Sequence, residues 1–425
     1  MKKLIYLDNA ASTRLSSKAA KAMKPFFDTQ FGNPSSLHEA GRSSKQAIEQ
    51  SRSDAAKVLN SQPREIIFTA GGTESINLAI FGIAKVYQST HHKPGHIITS
   101  TIEHEAVLEC VKALQQWGWQ VDYVNVDKNG LVKTDELKKK IKKNTVLISV
   151  MYANNEVGTI QPIAEIGRTI SGINRTRNKQ NLPPIYFHTD ACQAGGVLSL
   201  DVAKLKVDLM TVNGSKIHGP KGSGILYLRT GINIEPIIYG GGQERGLRSG
   251  TENTPAIVGF AAALTESQII KSKETKQLLA LQQTLESSLQ KIKGITINGP
   301  SNFAQTAGSK HAPSSHRANF TQKSDNFDLT KLPGTTNFSI KGIEGEAFMY
   351  YLNGKGFAVA TGSACTTGSE DPSHVLLAMG LTPEAAKSSV RISLSTDIKK
   401  SDIAKFITAL KESIKIIEHT VQEID

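Results

Sequence analysis

Short apolar runs alternate with amphipathic stretches along the first half of the chain. Runs typical of buried strands cover residues 65–69, 97–100, 121–126, 146–151, 185–190 and 209–212. Helical periodicity covers 17–27, 41–59, 76–86, 106–117, 134–143 and 163–174. Strands alternating with helices of this length predict an α/β fold with a mostly parallel sheet. We therefore expect functional side chains at the carboxyl ends of the strands.

The second half of the chain has long helical stripes, and 425 residues are too many for one small core. Leu278, Leu281, Leu285 and Leu289 form one stripe, and a second begins at Ile403. We expect a large domain over 15–261 and a smaller domain made of 1–14 with 262–425. A polar stretch over about 302–332 is predicted to be a solvated insertion loop.

A lysine in a turn of small residues follows the run at 209–212. N-G-S-K-I-H-G-P-K-G surrounds Lys216, so an aldehyde could approach its amine closely. Asp190 ends the run before it, at the sheet edge where α/β proteins bind ligands. We expect Lys216 to hold pyridoxal 5'-phosphate as a Schiff base and Asp190 to keep the pyridinium nitrogen protonated. Considered alone, Lys216 is also compatible with a solvated lysine at a strand end.

Two further strand ends carry candidate chemistry. Gly72 and Thr73 join the run at 65–69 to a helix, an arrangement that aims backbone N–H groups at a phosphate. A plain glycine turn with a threonine N-cap is the structural alternative. His104 follows the run at 97–100 and could move protons near neutral pH, although a lone loop histidine is often structural.

Composition limits the class of protein. Hydrophobic residues make up 39% and charged residues 21%, as in a globular chain. The N-terminal apolar run is interrupted at Asp8, and no stretch reaches the roughly 20 apolar residues of a membrane helix. Cys110, Cys192 and Cys365 lack zinc-type spacing. We expect a cytoplasmic protein without a metal site.

Basic residues outnumber acidic ones by 50 to 38, for a net charge of +12. The lysines are dispersed except at 138–143, which we interpret as the solvated end of a helix. An acidic partner such as tRNA is the alternative for this run, and a basic RNA-binding protein is the non-enzymatic alternative for the chain. We expect no direct nucleic-acid binding.

Ordered motifs along most of the chain carry a family resemblance. They are Y-L-D-N-A-A-S-T, F-G-N-P-S-S-L-H, G-G-T-E-S-I-N-L-A, E-H-E-A-V, N-N-E-V-G, D-A-C-Q, K-I-H-G-P-K-G, R-S-G-T, G-S-A-C-T and S-S-V-R-I-S-L. From about Tyr6 to Leu394, with one insertion, the chain resembles the cysteine desulfurases of the class V aminotransferase group. This resemblance implies the fold of fold-type I pyridoxal phosphate enzymes, with a seven-stranded sheet flanked by helices and a smaller α+β domain.

The resemblance also implies roles for single residues. Thr251 would reach the phosphate of the other subunit, which implies an obligate homodimer. The remaining roles are Lys216 for the covalent linkage, Asp190 for the ring nitrogen, Asn155 and Gln193 for the phenolic oxygen, His104 for stacking on the ring, and Gly72, Thr73 and Ser215 for the phosphate. Asn213 and Ser215 stand where the family usually has a serine and a histidine, so we expect an altered cofactor affinity.

Arg391 lies in a strand-like alternation where a charge is unexpected. An arginine on an edge strand is the structural interpretation. The resemblance instead implies a bidentate clamp on the α-carboxylate of the substrate, with Asn155 nearby.

Cys365 decides among the possible reactions. It lies in a small, polar stretch, 360–373, unlike the surroundings of a buried thiol. We expect its thiolate to attack the sulfur of bound L-cysteine and to give alanine and a protein persulfide. Cys110 and Cys192 are expected to be packing residues.

G-S-A-C-T resembles the desulfurase branch that hands sulfur to partner proteins for iron–sulfur assembly and tRNA thiolation. A selenocysteine lyase, or another class V aminotransferase or lyase, is the alternative.

Overall fold

The computed structural model describes residues 4–303, 322–324, 327–362 and 371–422. Its strands are β1 (Ile5–Tyr6), β2 (Ile66–Thr69), β3 (His96–Ser100), β4 (Gln120–Val124), β5 (Thr145–Ser149), β6 (Tyr186–Asp190), β7 (Leu209–Asn213), β8 (Gly224–Leu228), β9 (Ile295–Asn298), β10 (Gln322–Ser324), β11 (Phe327–Leu329), β12 (Thr335–Ile340), β13 (Phe357–Ala358) and β14 (Ser389–Ser393). Its helices are α1 (Ser17–Met23), α2 (Glu39–Leu59), α3 (Gly72–His91), α4 (Glu105–Gln116), α5 (Thr134–Lys140), α6 (Ile163–Lys179), α7 (Val202–Leu205), α8 (Thr254–Leu289), α9 (Gly345–Gly354), α10 (His374–Ala378), α11 (Pro383–Lys387) and α12 (Lys400–Gln422).

Seven strands form the central sheet in the order β2-β8-β7-β6-β5-β3-β4. The pairs from β7 through β4 are parallel, whereas β8 runs antiparallel to both β2 and β7. Successive side chains of a strand point to opposite faces, so Phe68 joins one core and Ile67 the other. Helices α2, α6 and α8 contribute to the first core, and α3 and α4 to the second. The predicted α/β fold with a mostly parallel, seven-stranded sheet flanked by helices is confirmed.

A smaller sheet, with the antiparallel order β14-β12-β9, forms a third core. Leu285 of α8, Phe338 of β12 and Phe406 of α12 pack there. The 36 residues of α8, about 54 Å of helix, also reach the core of the central sheet through Phe260. The boundary proposed between 261 and 262 falls within this continuous helix. The division into 15–261 and 1–14 with 262–425 stays a prediction.

Two predicted helices are shorter than their patterns indicated. The helix expected over 17–27 ends at Met23 and continues as a 3₁₀ turn, because Pro25 has no N–H to donate to the preceding turn. The helix expected over 134–143 ends at Lys140, and Ile141 has an extended backbone. Several lysines of this run pair with carboxylates: Lys138 with Asp135, Lys140 with Glu136 and Lys142 with Asp122.

The insertion at 302–332 lies partly outside the described residues, which omit 304–321 and 325–326. Asn302 Oδ1 accepts hydrogen bonds from the backbone N–H groups of Thr330 and Lys331, both at 3.1 Å. Leu329, Lys331 and Leu332 are buried, and Lys331 Nζ lies 3.2 Å from Glu286 Oε1. The expectation of a solvated loop is therefore wrong for the end of this segment.

Among the described residues, no helix is both long enough and apolar enough to cross a bilayer.

Candidate active site

Polar side chains past the carboxyl ends of β5, β6 and β7 converge on a cavity of about 180 Å³. Its lining includes residues that the sequence predicts for the site: Gly72, Thr73, His104, Asn155, Asp190, Gln193, Lys216 and Arg391. Ser215 lines an adjoining cavity together with Gly72 and Thr73. Thr251 is exposed and lies outside both linings. Cys365 lies outside the described residues.

Lys216 occupies a 3₁₀ turn directly after β7. A side chain at Gly214 would place its Cβ 2.3 Å from Ser223 Oγ, so only glycine allows this tight turn. Lys216 Nζ donates a hydrogen bond to the carbonyl oxygen of Ala11 at 2.5 Å. The N-terminal segment therefore forms the wall against which the amine lies.

Asp190 is the last residue of β6 and is buried. Its Oδ1 accepts a hydrogen bond from the backbone N–H of Cys192 at 2.9 Å. His188, two residues earlier, contacts Ser149 Oγ and Thr211 Oγ1, and burial lowers the pKa of His188 to about 4. Because this imidazole is neutral at pH 7, it does not neutralise Asp190. The carboxylate can pair with a cation in the cavity.

The glycine turn before α3 is shaped to approach a ligand closely. Gly71 has a φ of 148°, a conformation that favours glycine. A Cβ at Gly72 would lie 2.8 Å from Cys192 Sγ. The 20-residue helix α3 begins here, so its N-terminal backbone N–H groups and the Thr73 hydroxyl favour an anion.

The two departures from the family pattern contact each other. Asn213 Oδ1 accepts hydrogen bonds from the backbone N–H of Ser215 at 3.2 Å and from its hydroxyl at 3.3 Å. Lys221 lines the same adjoining cavity as Ser215. A basic residue thus borders this cavity even though residue 215 is not a histidine.

His104 is the N-cap of α4, and its Nδ1 accepts a hydrogen bond from the N–H of Ala106 at 3.0 Å. The neutral ring therefore carries its proton on Nε2. Glu103, the preceding residue, is fully buried, and burial raises its pKa to about 8. Its Oε1 accepts hydrogen bonds from Ser100 Oγ and the N–H of Met151, at 2.5 and 3.0 Å.

Arg391 lies in the middle of β14 and is only 1% exposed. It donates from Nη2 to Asp8 Oδ1 at 2.7 Å and from Nη1 to the carbonyl oxygen of Asn155 at 3.1 Å. Although β14 is an edge strand, this guanidinium lines the cavity and does not extend into solvent.

The two ends of the stretch 360–373 lie beside Arg391 and Glu156. The backbone of Ala360 pairs with that of Arg391, with N···O distances of 2.7 and 3.3 Å. Ser373 Oγ donates to Glu156 Oε2 at 2.6 Å, next to Asn155. Both ends of the segment that contains Cys365 are therefore anchored at the Arg391 side of the cavity.

The two described thiols are buried. Burial raises the pKa of Cys110 to about 12. Burial, together with the Asp190 carboxylate, raises the pKa of Cys192 well above its ordinary value. Both thiols therefore stay protonated near neutral pH, in line with packing roles.

The sequence predicts no role for Asp8 or Glu103, although both lie beside the cavity. Asp8 stands in the Y-L-D-N-A-A-S-T motif, but it meets Arg391 across 383 residues. Local patterns cannot reveal such a pairing. Glu103 precedes His104 in E-H-E-A-V, so the motif itself was the available signal.

Comparison with known proteins decides the family. The Aminotransferase class-V family model matches residues 5–313 and 320–406. This chain belongs to the class V aminotransferase family. It is 40% identical over 416 residues to "Cysteine desulfurase IscS" of Dictyoglomus turgidum, covering 98% of this chain and 95% of the relative. The identity is 42% over 415 residues to the protein of the same name from Methanosarcina thermophila, covering 97% and 92%.

A solved structure described as a NIFS-like protein superposes on this class V chain with a TM-score of 0.83 at 36% identity, covering 97% of this chain and all of the other. The resemblance to desulfurases of this family, inferred from the motifs, is confirmed. The family depends on pyridoxal 5'-phosphate.

The cavity fits this cofactor chemically. A phosphate dianion suits the side-chain-free turn at Gly71 and Gly72 and the N-terminus of α3. A protonated ring nitrogen suits the buried carboxylate of Asp190, and an aldehyde suits the amine of Lys216. Gly71, Gly72 and Thr73 line the adjoining cavity, while Asp190 and Lys216 line the main one.

Proposed function

We propose that this protein is a pyridoxal-phosphate-dependent cysteine desulfurase that converts L-cysteine to L-alanine and transfers the sulfur to Cys365. One observation carries the proposal. In a chain whose relatives are named cysteine desulfurases, a single cavity brings together Lys216, Asp190, His104 and Arg391.

Residues of the central sheet would hold the cofactor. Lys216 would bind its aldehyde and Asp190 its ring nitrogen, while Gly72, Thr73 and Ser215 would surround the phosphate. Gln193 and Asn155 would contact the phenolic oxygen, for which Gln193 has a second N–H besides the one given to Ala10 at 3.0 Å. When bound, the cofactor supplies a sink for the electron pair released at the substrate Cα.

Proton transfer falls to Lys216 and His104. With substrate bound in the cavity, the Lys216 amine would be placed to take the Cα proton. His104 would lie on the ring with its proton on Nε2, because Nδ1 is committed to Ala106.

Arg391 would bind the substrate α-carboxylate. A guanidinium buried away from water pairs strongly with a carboxylate and offers two parallel N–H donors. Asn155, whose carbonyl oxygen already accepts from this guanidinium, would stand beside the same group.

Sulfur transfer is assigned to Cys365. Its thiolate would attack the substrate sulfur, so that an S–S bond forms and the Cβ–S bond breaks. The electron pair of the broken bond stays on the substrate carbon, which takes up a proton to give alanine. The anchoring of Ala360 and Ser373 beside Arg391 and Glu156 supports this assignment.

A homodimer is part of the proposal, because Thr251 would complete the phosphate site of the partner. Thr251 is exposed, and Arg248 of the same motif is tied to Glu74 in the first turn of α3 at 2.9 Å. Mixing Lys216→Ala and Thr251→Ala chains tests this idea. Hybrid dimers contain one site with both residues intact and should regain activity; mixtures that stay inactive would contradict it.

The persulfide would pass to acceptor proteins of iron–sulfur assembly or tRNA thiolation. A reducing cytoplasm would suit this chemistry, since it keeps the sulfur-carrying thiol from being locked in a disulfide.

The function is tested by incubating the purified holoenzyme with L-cysteine and quantifying alanine and protein-bound sulfur. We expect equal amounts of both in the first turnover, with the sulfur on the peptide that contains Cys365. Pyruvate and ammonia in place of alanine would indicate a different class V reaction and refute the proposal.

A further inference from the structure

The buried guanidinium of Arg391 forms an ion pair with the carboxylate of Asp8. Asp8 Oδ1 lies 2.7 Å from Arg391 Nη2, with side-chain exposures of 17% and 1%. An arginine this deeply buried would be costly to keep charged without a counter-ion. Asp8 therefore provides the counter-ion of Arg391 at the cavity before any substrate arrives.

The Arg391 guanidinium retains hydrogen-bonding capacity. It has five N–H donors, and the bonds to Asp8 and to the carbonyl of Asn155 use two of them. Nε is buried and has no hydrogen-bond partner among the residues that the structure describes. Buried donors are rarely left unpaired, so an unused donor in a buried cation indicates room for another acceptor.

The Asp8 carboxylate is not needed to hold the N-terminal segment in place. Backbone bonds with Ser393 already do so: Ser393 N–H donates to the carbonyl of Leu7 at 2.7 Å, and Asn9 N–H to the carbonyl of Ser393 at 3.2 Å. Asn9 Nδ2 and the Ala10 N–H add two more bonds to Ser393, at 2.9 and 2.8 Å.

We infer that Asp8 is a positioning residue for substrate binding: it fixes the plane of the Arg391 guanidinium so that the remaining donors receive the α-carboxylate of the amino acid. Asp8 does not touch the reacting atoms. It acts through Arg391 and leaves the cofactor site unchanged. This inference rests on the proposed carboxylate-binding role of Arg391.

The test uses holoenzyme variants Asp8→Ala and Asp8→Asn, with Asn9→Ala as the matched control. L-Alanine, which carries the carboxylate but no sulfur, is titrated against the cofactor absorbance to give a dissociation constant. Cysteamine, which has the amine and thiol of the substrate without its carboxylate, is titrated in parallel. The dissociation constant of pyridoxal phosphate is measured for each cofactor-depleted variant.

We expect Asp8→Ala to weaken L-alanine binding by about tenfold or more, since a charge-assisted hydrogen bond that orients the arginine is lost. Asp8→Asn, which keeps an acceptor oxygen, should fall between Asp8→Ala and the wild type. Asn9→Ala should match the wild type. Cysteamine and cofactor affinities should be the same in all variants.

Three results would overturn the inference. Unchanged or tighter L-alanine binding in Asp8→Ala would mean that Asp8 is dispensable or competes with the substrate. Equal losses for L-alanine, cysteamine and the cofactor would show a merely structural role. A wild-type protein whose absorbance does not respond to L-cysteine would refute the proposed function and the inference with it.

Discussion

One side of the cavity belongs to the central sheet and the other to the small sheet. On the first side, Asp190 ends β6 and Lys216 lies in the tight turn after β7, so both are fixed by strands buried on both faces. On the second side, Arg391 is held by Asp8 and Asn155, which come from two distant segments of the chain. The first side suits a cofactor that stays in place. The second side joins three segments of the chain, and the stretch around Cys365 begins and ends beside it.

We expect substitutions on the central-sheet side to impair the binding or the chemistry of the cofactor. Substitutions on the small-sheet side should impair substrate binding or sulfur transfer and leave cofactor binding intact.

Lys216→Ala should have the largest effect, because it removes the amine that we propose to bind the aldehyde and to take the Cα proton. We expect alanine formation to fall by about 10³-fold or more. Borohydride reduction followed by peptide mass analysis should fix the cofactor on Lys216 in the wild type and nowhere in the variant. Lys221→Ala is the control and should retain the linkage at Lys216; a cofactor fixed on Lys221 in the wild type would contradict the assignment.

Cys365→Ala should abolish persulfide formation while the cofactor absorbance and its response to L-cysteine persist. We expect a loss of about 10²-fold or more in alanine release, since the sulfur has no acceptor. Cys192→Ala is the sharp control, because Cys192 lines the cavity but burial raises its pKa well above the ordinary value. A persulfide found on Cys192 would reverse the two roles.

Gly72→Ala should weaken cofactor binding, because the new Cβ would lie 2.8 Å from Cys192 Sγ. Overpacking of this kind costs about 1–3 kcal/mol. The next nearest atom is 3.5 Å away, on Asn213, so the double variant Gly72→Ala with Cys192→Ala should regain most of the affinity. Fluorescence titration with pyridoxal phosphate measures the cofactor affinity of the single and the double variant. If the double variant does not regain affinity, the turn itself, and not the sulfur, excludes a side chain.

Glu103→Gln should have the smallest effect, on the pH dependence of stability. Burial raises the pKa of Glu103 from its ordinary 4.5 to about 8. Between these values the folded protein binds more protons than the unfolded chain, so this carboxyl contributes stability at low pH that is lost as the pH rises toward 8.

The Tm difference between Glu103→Gln and the wild type should therefore move in favour of the variant from pH 5 to pH 9, by about 2 °C. The exposed Glu109→Gln variant serves as the control and should show no such trend. If the Tm difference between Glu103→Gln and the wild type were constant with pH, Glu103 would not titrate in this range.

Much of the central-sheet side could be predicted from local sequence. The turn N-G-S-K and the run that ends at Asp190 each lie within a few residues, so spacing alone indicates a lysine and an acid at strand ends. Strand β8 is absent from the strands predicted from the sequence, and its reversed direction follows only from its pairing between β2 and β7.

By itself, the sequence determined the alternation of strands and helices, the family motifs and the identity of the chemical groups, because periodicity and glycine turns are local properties of the chain. Tertiary structure decided how those groups are paired and how deeply each of them is buried. Near the cavity, burial raises the pKa of the Glu103 carboxyl, whereas the carboxylate of Asp8 pairs with the guanidinium of Arg391. Such pairings depend on contacts across hundreds of residues and on the exclusion of water, which a linear pattern does not record.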